Sequence, residues 1–569
     1  MMAMTLDPVS LMNRELTVVG FGKDSNKLVN DFRYVFEDRL HFRDSIKWNG
    51  DRTDLTDRFL VCCTYDRAQA LKELKGKDLT YQKDFCFAED LFSILDDHKH
   101  RRIAYLSYPG SLIGQIRAIV FGYAAKHGKI LPREKHREIL KGHYEKDASD
   151  RFGSRLVRTS PVRKLIYLKY LILGAAESIA QLSAKGNDYE AYDHICFESV
   201  SDAIRFQKDH PSAAGKVITV DELKAHTMTS LYMRAVYFDR KMKNCFCDAP
   251  FKKLWIGKNG MTRMCECPDF LEVGFGNAGV TDLKKIWKSP LAKIVRLSML
   301  NHSYTFCSEE LCGMLRVCGD LKELPAFPET AEENDQPGEL MIANDRVCNL
   351  CCPSCRNTLY TKNNADEAII AKAGTDALLA SGWPDRAEEL IVGGSGEAFL
   401  SENYKQVLYD GKLKRNRIRI MTNGILFTPQ EWEKLEGKYE HIVFSVSVDA
   451  ATKNTYEKVR CGGNYERLMK NMEFLSELRK ENKVDCVIVN LIVQRANYRE
   501  IPDFIRWAKM LGFDRVSLSH IRNWGTFTEK EFQNEVSMFD KNGNMKAELA
   551  RVLEDPVCRD PVVEMQWES

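Results

Sequence analysis

The sequence predicts an α/β protein built on parallel sheet, and two observations carry that prediction. Between residues 339 and 519 six short apolar runs alternate with helical patterns, and strands separated by helix-length segments pair in parallel. Before residue 235 more short apolar runs alternate with helical sequence, the first running into Gly20-Phe21-Gly22. A cysteine-rich segment lies between the two halves.

The elements follow in order. Leu16–Gly20 reads as a strand, with a helix from Lys27, a second strand at Arg58–Cys63 and a helix from Arg67. This makes residues 1–100 a Rossmann-like α/β unit. Its glycine pair lacks the third glycine and an acidic ribose ligand, so a nucleotide site and a plain tight turn both remain open. Residues 101–235 read as a second α/β unit suited to substrate recognition, with strands at Arg102–Leu106, His194–Glu198 and Lys216–Val220. The basic residues between Lys126 and Lys169 alternate with acids, which describes a solvated helical face. The cysteine-rich unit is placed at 236–320 and a proline-rich, acidic linker at 321–338. Residues 339–569 form the last domain with a C-terminal extension. Its strands are expected at Glu339–Asn344, Glu389–Val392, Arg417–Thr422, His441–Val448, Val484–Val493 and Asp514–Ser519. Helices are expected at Ala365–Leu379, Pro429–Leu435, Tyr465–Glu481 and Ile501–Leu511. Six such units allow a doubly wound sheet or an incomplete barrel.

At 569 residues the chain should hold roughly three or four domains. Its 83 basic and 81 acidic residues leave no electrostatic footprint for nucleic acid or an anionic membrane. The most apolar helical stretch, Leu165–Leu182, is interrupted by Lys169 and Glu177, so no span is expected. No basic region followed by an apolar run opens the sequence, so a cytoplasmic location is expected. In that compartment 18 cysteines point to metal or catalysis instead of disulfides. Eleven of them fall between Cys245 and Cys355. Cys62, Cys63, Cys86, Cys196, Cys486 and Cys558 read as small core residues.

After the first strand of the last domain comes Cys348-Asn349-Leu350-Cys351-Cys352-Pro353-Ser354-Cys355. Cys348, Cys352 and Cys355 can bind three irons of a cubane cluster and leave the fourth iron open for a chelating substrate. The alternative is a zinc knuckle that adds Cys351 as fourth ligand.

This loop and the β/α units over roughly 338–525 resemble the radical S-adenosylmethionine (SAM) superfamily. The resemblance implies an incomplete (β/α)6 barrel, a [4Fe–4S] cluster and SAM, cleaved reductively to a 5′-deoxyadenosyl radical for hydrogen-atom abstraction. Ile391-Val392-Gly393-Gly394-Ser395-Gly396-Glu397 is similar to the glycine–glutamate motif, which implies Gly394, Gly396 and Glu397 near the methionyl amine. Thr422 and Asn423 end strand three. On strand four Ser445, Ser447 and Asp449 alternate and so share a face; the resemblance gives Ser447 and Asp449 to the ribose. Arg460 resembles the arginine that pairs with the cofactor carboxylate, and Gln494 follows strand five with Asn497. The residue before the third cysteine is often aromatic in the family. Here it is Ser354, which leaves adenine to backbone and neighbouring strands.

Cys245, Cys247, Cys265, Cys267, Cys307, Cys312 and Cys318 form the second group. A turn at Asn259-Gly260 would bring Cys247 and Cys265 together as a hairpin. The segment resembles the SPASM or twitch auxiliary domain, placed before the core instead of after it. Cys247, Cys265, Cys307 and Cys312 are the expected ligands of an auxiliary [4Fe–4S] cluster; a structural zinc site is the alternative. Phe246, Phe251 and Trp255 read as hairpin core.

The resemblance implies a substrate that is a peptide, to be cross-linked or oxidised, or else a carbohydrate or nucleotide sugar, to be modified or epimerised. It also implies an electron donor such as flavodoxin or ferredoxin. A non-catalytic iron–sulfur electron carrier is the alternative of another class. Cys461, next to Arg460, is the candidate hydrogen donor.

Overall fold

The computed structural model describes residues 14–21, 25–37, 40–48, most of 59–91, 103–106, 192–220, 228–237, 247–265, most of 270–308, 334–410 and most of 417–566, with a few isolated positions besides. The expected helix at Leu165–Leu182, the basic stretch 126–169, most of the linker, and Cys245, Phe246, Cys267 and Cys318 lie outside the described residues.

Strands β1 (Glu15–Gly20), β2 (His41–Lys47), β3 (Phe59–Cys63) and β4 (Phe85–Phe87) pair in parallel in the order β2-β1-β3-β4. Every residue of β3, Phe-Leu-Val-Cys-Cys, is buried, as parallel strands covered on both faces require. Cys62, Cys63, Cys86, Cys196 and Cys558 are all buried as core residues, while Cys486 is half-buried. Strands β5 (Ile103–Leu106), β6 (His194–Phe197) and β7 (Val217–Thr219) form a second parallel sheet in sequence order.

The main sheet has nine strands. The hairpin β8 (Lys253–Ile256) and β9 (Thr262–Arg263) turns through Asn259 and Gly260, both in the left-handed region at φ 63° and 70°. Gly257 N donates to Met261 O at 2.9 Å, so the loop holds three residues, Lys258-Asn259-Gly260, one more than the two-residue turn an Asn-Gly pair favours. It is followed by β10 (Glu339–Ile342), β11 (Glu389–Val392), β12 (Arg417–Thr422), β13 (His441–Ser447), β14 (Cys486–Val493), β15 (Arg515–His520) and β16 (Val563–Met565). The order is β16-β15-β14-β13-β12-β11-β10-β8-β9. All neighbours are parallel except the hairpin itself. The six expected core strands are therefore consecutive neighbours, and among the described residues the sheet does not close on itself.

Two edge additions were not expected. β8 pairs with β10 from Lys253↔Glu339 to Ile256↔Ile342, so the cysteine-rich hairpin extends the core sheet. β16 adds the far edge beside β15. Both are too short to stand out as periodic sequence. The crossover helices begin on side-chain caps that stop the chain fraying. Asn364 and Glu367 form a reciprocal capping box on Ala365–Ala380, and Asn464 caps Tyr465–Lys480.

The helix Pro290–Leu300 is buried along most of its length and welds the parts together. Arg234 donates to Thr305 Oγ1 and O at 2.9 and 2.6 Å, and Asn301 Nδ2 donates to Ala235 O at 2.8 Å. One continuous apolar core runs from Val18 and Phe32 through Trp287 and Val295 to Val392 and Phe444. Among the described residues no helix is long and apolar enough to cross a membrane.

Candidate functional site

The three-thiol loop leaves the carboxyl end of β10 and is folded tightly on itself. Cys348 N donates to Tyr360 O at 2.7 Å, and Cys355 N to Cys352 O at 2.9 Å. Cys348 and Cys352 are buried and Cys355 is half-buried. Each thiol meets one side-chain donor from a different part of the chain. Asn423 Nδ2 lies 3.9 Å from Cys348 Sγ, Arg460 Nη1 3.7 Å from Cys352 Sγ, and Arg356 Nη2 3.5 Å from Cys355 Sγ. The Leu350 amide adds a fourth donor, 3.4 Å from Cys348 Sγ. Burial pushes the Cys348 thiol up to about 11, against the pull of the Leu350 amide and Arg356. Burial also raises Cys352, against Arg460. Uncharged thiols are the cost of this pocket, and electropositive iron would relieve it. Cys351 instead bonds within its own loop, Sγ to Arg356 O at 3.6 Å, and its amide donates to Cys461 O at 3.0 Å.

The loop after β11 packs against this one through backbone. A Cβ on Gly396 would sit 2.6 Å from Val347 O and 2.7 Å from Asp345 O. Gly394 has φ 104°, and its Cβ would sit 2.8 Å from Met341 Cε. Glu397 is buried and its carboxylate ties two loops together. It accepts Thr422 Oγ1 at 2.5 Å, Asn423 N at 2.8 Å and Phe399 N at 3.2 Å. Burial raises its acid. Thr422 and Glu397 are thus spent on the scaffold, and Asn423 reaches the cluster loop through Asn349 Oδ1 at 2.9 Å.

Ser447 is half-buried on β13 opposite Asn490. Asp449, at φ 66° and fully buried, accepts Ile492 N at 2.7 Å and pairs with Arg460 Nη2 at 2.7 Å. Asp449 and Cys352 keep Arg460 protonated despite burial, which acts against the charge. Asn497 Nδ2 donates to Asp449 O at 2.8 Å and holds that turn. Ser354 is buried. Gln494 Nε2 and Arg460 Nε are buried donors without a hydrogen-bond partner. Two orphaned donors, one of them on the arginine beside Cys352, suit a cofactor that brings carboxylate and hydroxyl oxygens. Cys461 is exposed and packs beside Cys351.

Sequence reasoning passed over Arg356 and Asn490. Asn490 Nδ2 donates to Ser445 Oγ at 2.9 Å from the half-buried face of β14. Its signal was one amide in the run Val-Ile-Val-Asn-Leu-Ile-Val.

Cys247, Cys307 and Cys312 lie around Tyr304, and Cys265 lies near Cys247. Burial pushes the Cys247 thiol up to about 12, with Cys265 and Cys312 adding to the rise. The buried Tyr304 hydroxyl is raised by burial and by Cys247, Cys307 and Cys312. Among the described residues no three His, Cys, Asp or Glu side chains are close enough to share a single ion. A cubane is held by a wider set, one thiolate to each iron. Arg522, in the loop after β15, lies over the Phe270 ring at 5.0 Å, and Ser308 N donates to Phe270 O at 2.8 Å. The cysteine-rich segment therefore reaches from the β8 edge to the carboxyl end of β15.

Residues 346–508 match the Radical SAM superfamily, and residues 245–313 match the iron-sulfur cluster-binding domain SPASM. Over 179 residues the chain is 24% identical to the tungsten-containing aldehyde ferredoxin oxidoreductase cofactor-modifying protein of Pyrococcus furiosus, covering 31% of this chain and 49% of that one. The chain thus spans about half the length of this curated relative. Among solved structures, Streptococcus suis SuiB is similar at 15% identity, with 52% of this chain and 65% of that chain covered and a TM-score of 0.29. Native anSMEcpe with bound AdoMet is similar at 18% identity, covering 32% and 52%, with a TM-score of 0.25. The radical SAM domain brings SAM and a [4Fe–4S] cluster, and the SPASM domain brings auxiliary iron–sulfur clusters. The chain thus carries a radical SAM domain over residues 346–508 and, ahead of it, a SPASM iron-sulfur cluster-binding domain over residues 245–313.

Proposed function

We propose that this chain abstracts a hydrogen atom from a peptide and turns it into a cross-linked or oxidised product. The observation that carries this reading is the three-thiol loop, whose sulfurs each meet a separate donor while Gln494 Nε2 and Arg460 Nε stay unpaired. When bound, the cluster and SAM supply a 5′-deoxyadenosyl radical. The chain's own residues then hold and shield. Cys348, Cys352 and Cys355 bind the iron, and Arg460 and Gln494 orient the cofactor's polar ends. Ser447 and Asn490 line the face beyond them. Cys247, Cys265, Cys307 and Cys312 would hold the auxiliary cluster, which would supply an electron acceptor for an oxidised product. Cys461 is the hydrogen donor only if the product is formed by inversion; Cys461→Ala leaving the product intact excludes it.

On this reading β10 to β15 make an incomplete (β/α)6 barrel. Residues 1–100 are a Rossmann-like unit, 101–235 a second α/β unit for substrate recognition, and 236–320 the auxiliary domain joined by the 321–338 linker. The protein works in the cytoplasm with a flavodoxin or ferredoxin donor. A carbohydrate or nucleotide-sugar substrate is the second reading, favoured by the β2-β1-β3-β4 order, in which the chain reverses direction beside β1. The test is substrate-stimulated 5′-deoxyadenosine. Stimulation by short peptides encoded beside the gene supports the first reading. Stimulation by nucleotide sugars alone replaces it with the second.

A further inference from the structure

Arg356 directly follows the third ligand cysteine, and its guanidinium is stretched between three partners. Nη2 lies 3.5 Å from Cys355 Sγ and donates to Ser395 O at 2.6 Å, inside the glycine loop after β11. Nη1 donates to Arg346 O at 2.8 Å, on the approach to Cys348. The Tyr360 ring lies under both arginines, 4.2 Å from Arg346 and 6.0 Å from Arg356, and Tyr360 O accepts the Cys348 amide at 2.7 Å. One planar fork therefore touches a ligand sulfur, the loop that faces SAM and the strand-to-loop junction, a geometry that a lysine ammonium cannot reproduce.

We propose that Arg356 is a positioning residue that couples the reduction potential of the Cys348–Cys352–Cys355 cluster to the shape of the cofactor loop at 393–396. This rests on the radical SAM reading above. Reduction adds negative charge to the cluster, so a guanidinium and an N–H donor at one sulfur favour the reduced form and raise the potential. The same side chain turns Ser395 O toward the cluster loop, which leaves the backbone of Gly393 and Gly394 to meet the cofactor. Asn423 and Arg460 act on the other two sulfurs; Asn423 reaches the loop after β11 only through its amide and the Glu397 carboxylate, whereas the Arg356 guanidinium bonds the backbone of Ser395 itself.

The test uses the full, iron-reconstituted chain, with potentiometric titration of the reduced-cluster EPR signal that changes on SAM addition, and SAM affinity measured separately. Arg356→Gln should make reduction of that cluster about tenfold less favourable, about 59 mV more negative for one electron. It should also weaken SAM binding about tenfold and leave the auxiliary signal where it was. Arg356→Lys should keep the parental potential and lose SAM affinity alone. An unmoved midpoint in the glutamine variant overturns the proposal. If that variant fails to assemble the core cluster, the lysine variant decides: weakened SAM binding at the parental potential supports the coupling, and parental SAM binding overturns it. A parent chain with no SAM-responsive signal at all would instead overturn the radical SAM reading, and this inference with it.

Discussion

Arg460 Nη2 lies 2.7 Å from Asp449 Oδ2, so two residues that the sequence assigns to opposite ends of the cofactor hold each other in a buried ion pair. Asp449 sits at φ 66°, outside the regular strand region, and is fixed there by Ile492 N and Asn497. The pair places Arg460 Nη1 beside Cys352 Sγ and leaves Nε unpaired. Asp449 thus acts on the cofactor pocket through Arg460.

Removing one partner of a buried pair strands the other. Asp449→Ala is expected to lower the unfolding free energy by roughly 3–5 kcal/mol, read by urea denaturation. The double change Asp449→Ala with Arg460→Met should recover part of that loss. An unchanged urea midpoint in the single variant would show that the pair is not held in solution.

Gly396→Ala forces a methyl to within 2.6 Å of Val347 O and 2.7 Å of Asp345 O. Overpacking of this kind costs roughly 1–3 kcal/mol. Here it should push the glycine loop off the cluster loop. The expected result is a folded chain with SAM affinity reduced at least tenfold, measured by equilibrium binding; parental affinity would refute the close packing.

Much of this site was legible because its signals are local. Cys348, Cys352 and Cys355, the glycines at 394 and 396, and the Asn259-Gly260 turn each need only a few adjacent residues to declare themselves. The six core strands appeared within a residue or two of their expected ends for the same reason. What stayed hidden depends on residues far apart in sequence. The pairing of β8 with β10 joins Lys253 to Glu339. The commitment of Glu397 to Thr422 and Asn423, and of Asp449 to Arg460, gives scaffold work to side chains whose motifs suggested cofactor contact. Arg356 carried no signal beyond its place after a cysteine.

Asp31 offers a pH test of the amino-terminal packing. Burial raises its carboxyl to about 6 from an ordinary 3.8, with Lys27 and Asn301 opposing. The folded state therefore binds its proton more tightly than the unfolded state. Stability from this group is present below pH 4, falls between about pH 4 and 6, and stays lost above. The loss amounts to about 3 kcal/mol. Asp31→Asn should flatten that slope and stabilise the chain at pH 7.5; an unaltered pH profile of urea unfolding would contradict it.

The auxiliary thiols depend on the amino-terminal region. Arg234 and Ala235 hold Thr305 and Asn301, next to Tyr304 and Cys307. The reconstituted full chain should carry about eight irons if both clusters are cubane. A chain beginning at Tyr237 should fall towards about four while still forming 5′-deoxyadenosine. Zinc bound in place of the second set of irons would make the SPASM segment a structural zinc site.

On the proposed function, Cys348, Cys352 and Cys355 carry the cleavage of SAM. Its most direct test is chromatographic and mass-spectrometric measurement of 5′-deoxyadenosine from the dithionite-reduced, iron-loaded chain given SAM. The parent should form it, and the variant with all three cysteines changed to alanine should form none, while keeping about four irons and a cooperative fold. Undiminished 5′-deoxyadenosine from that variant would contradict it.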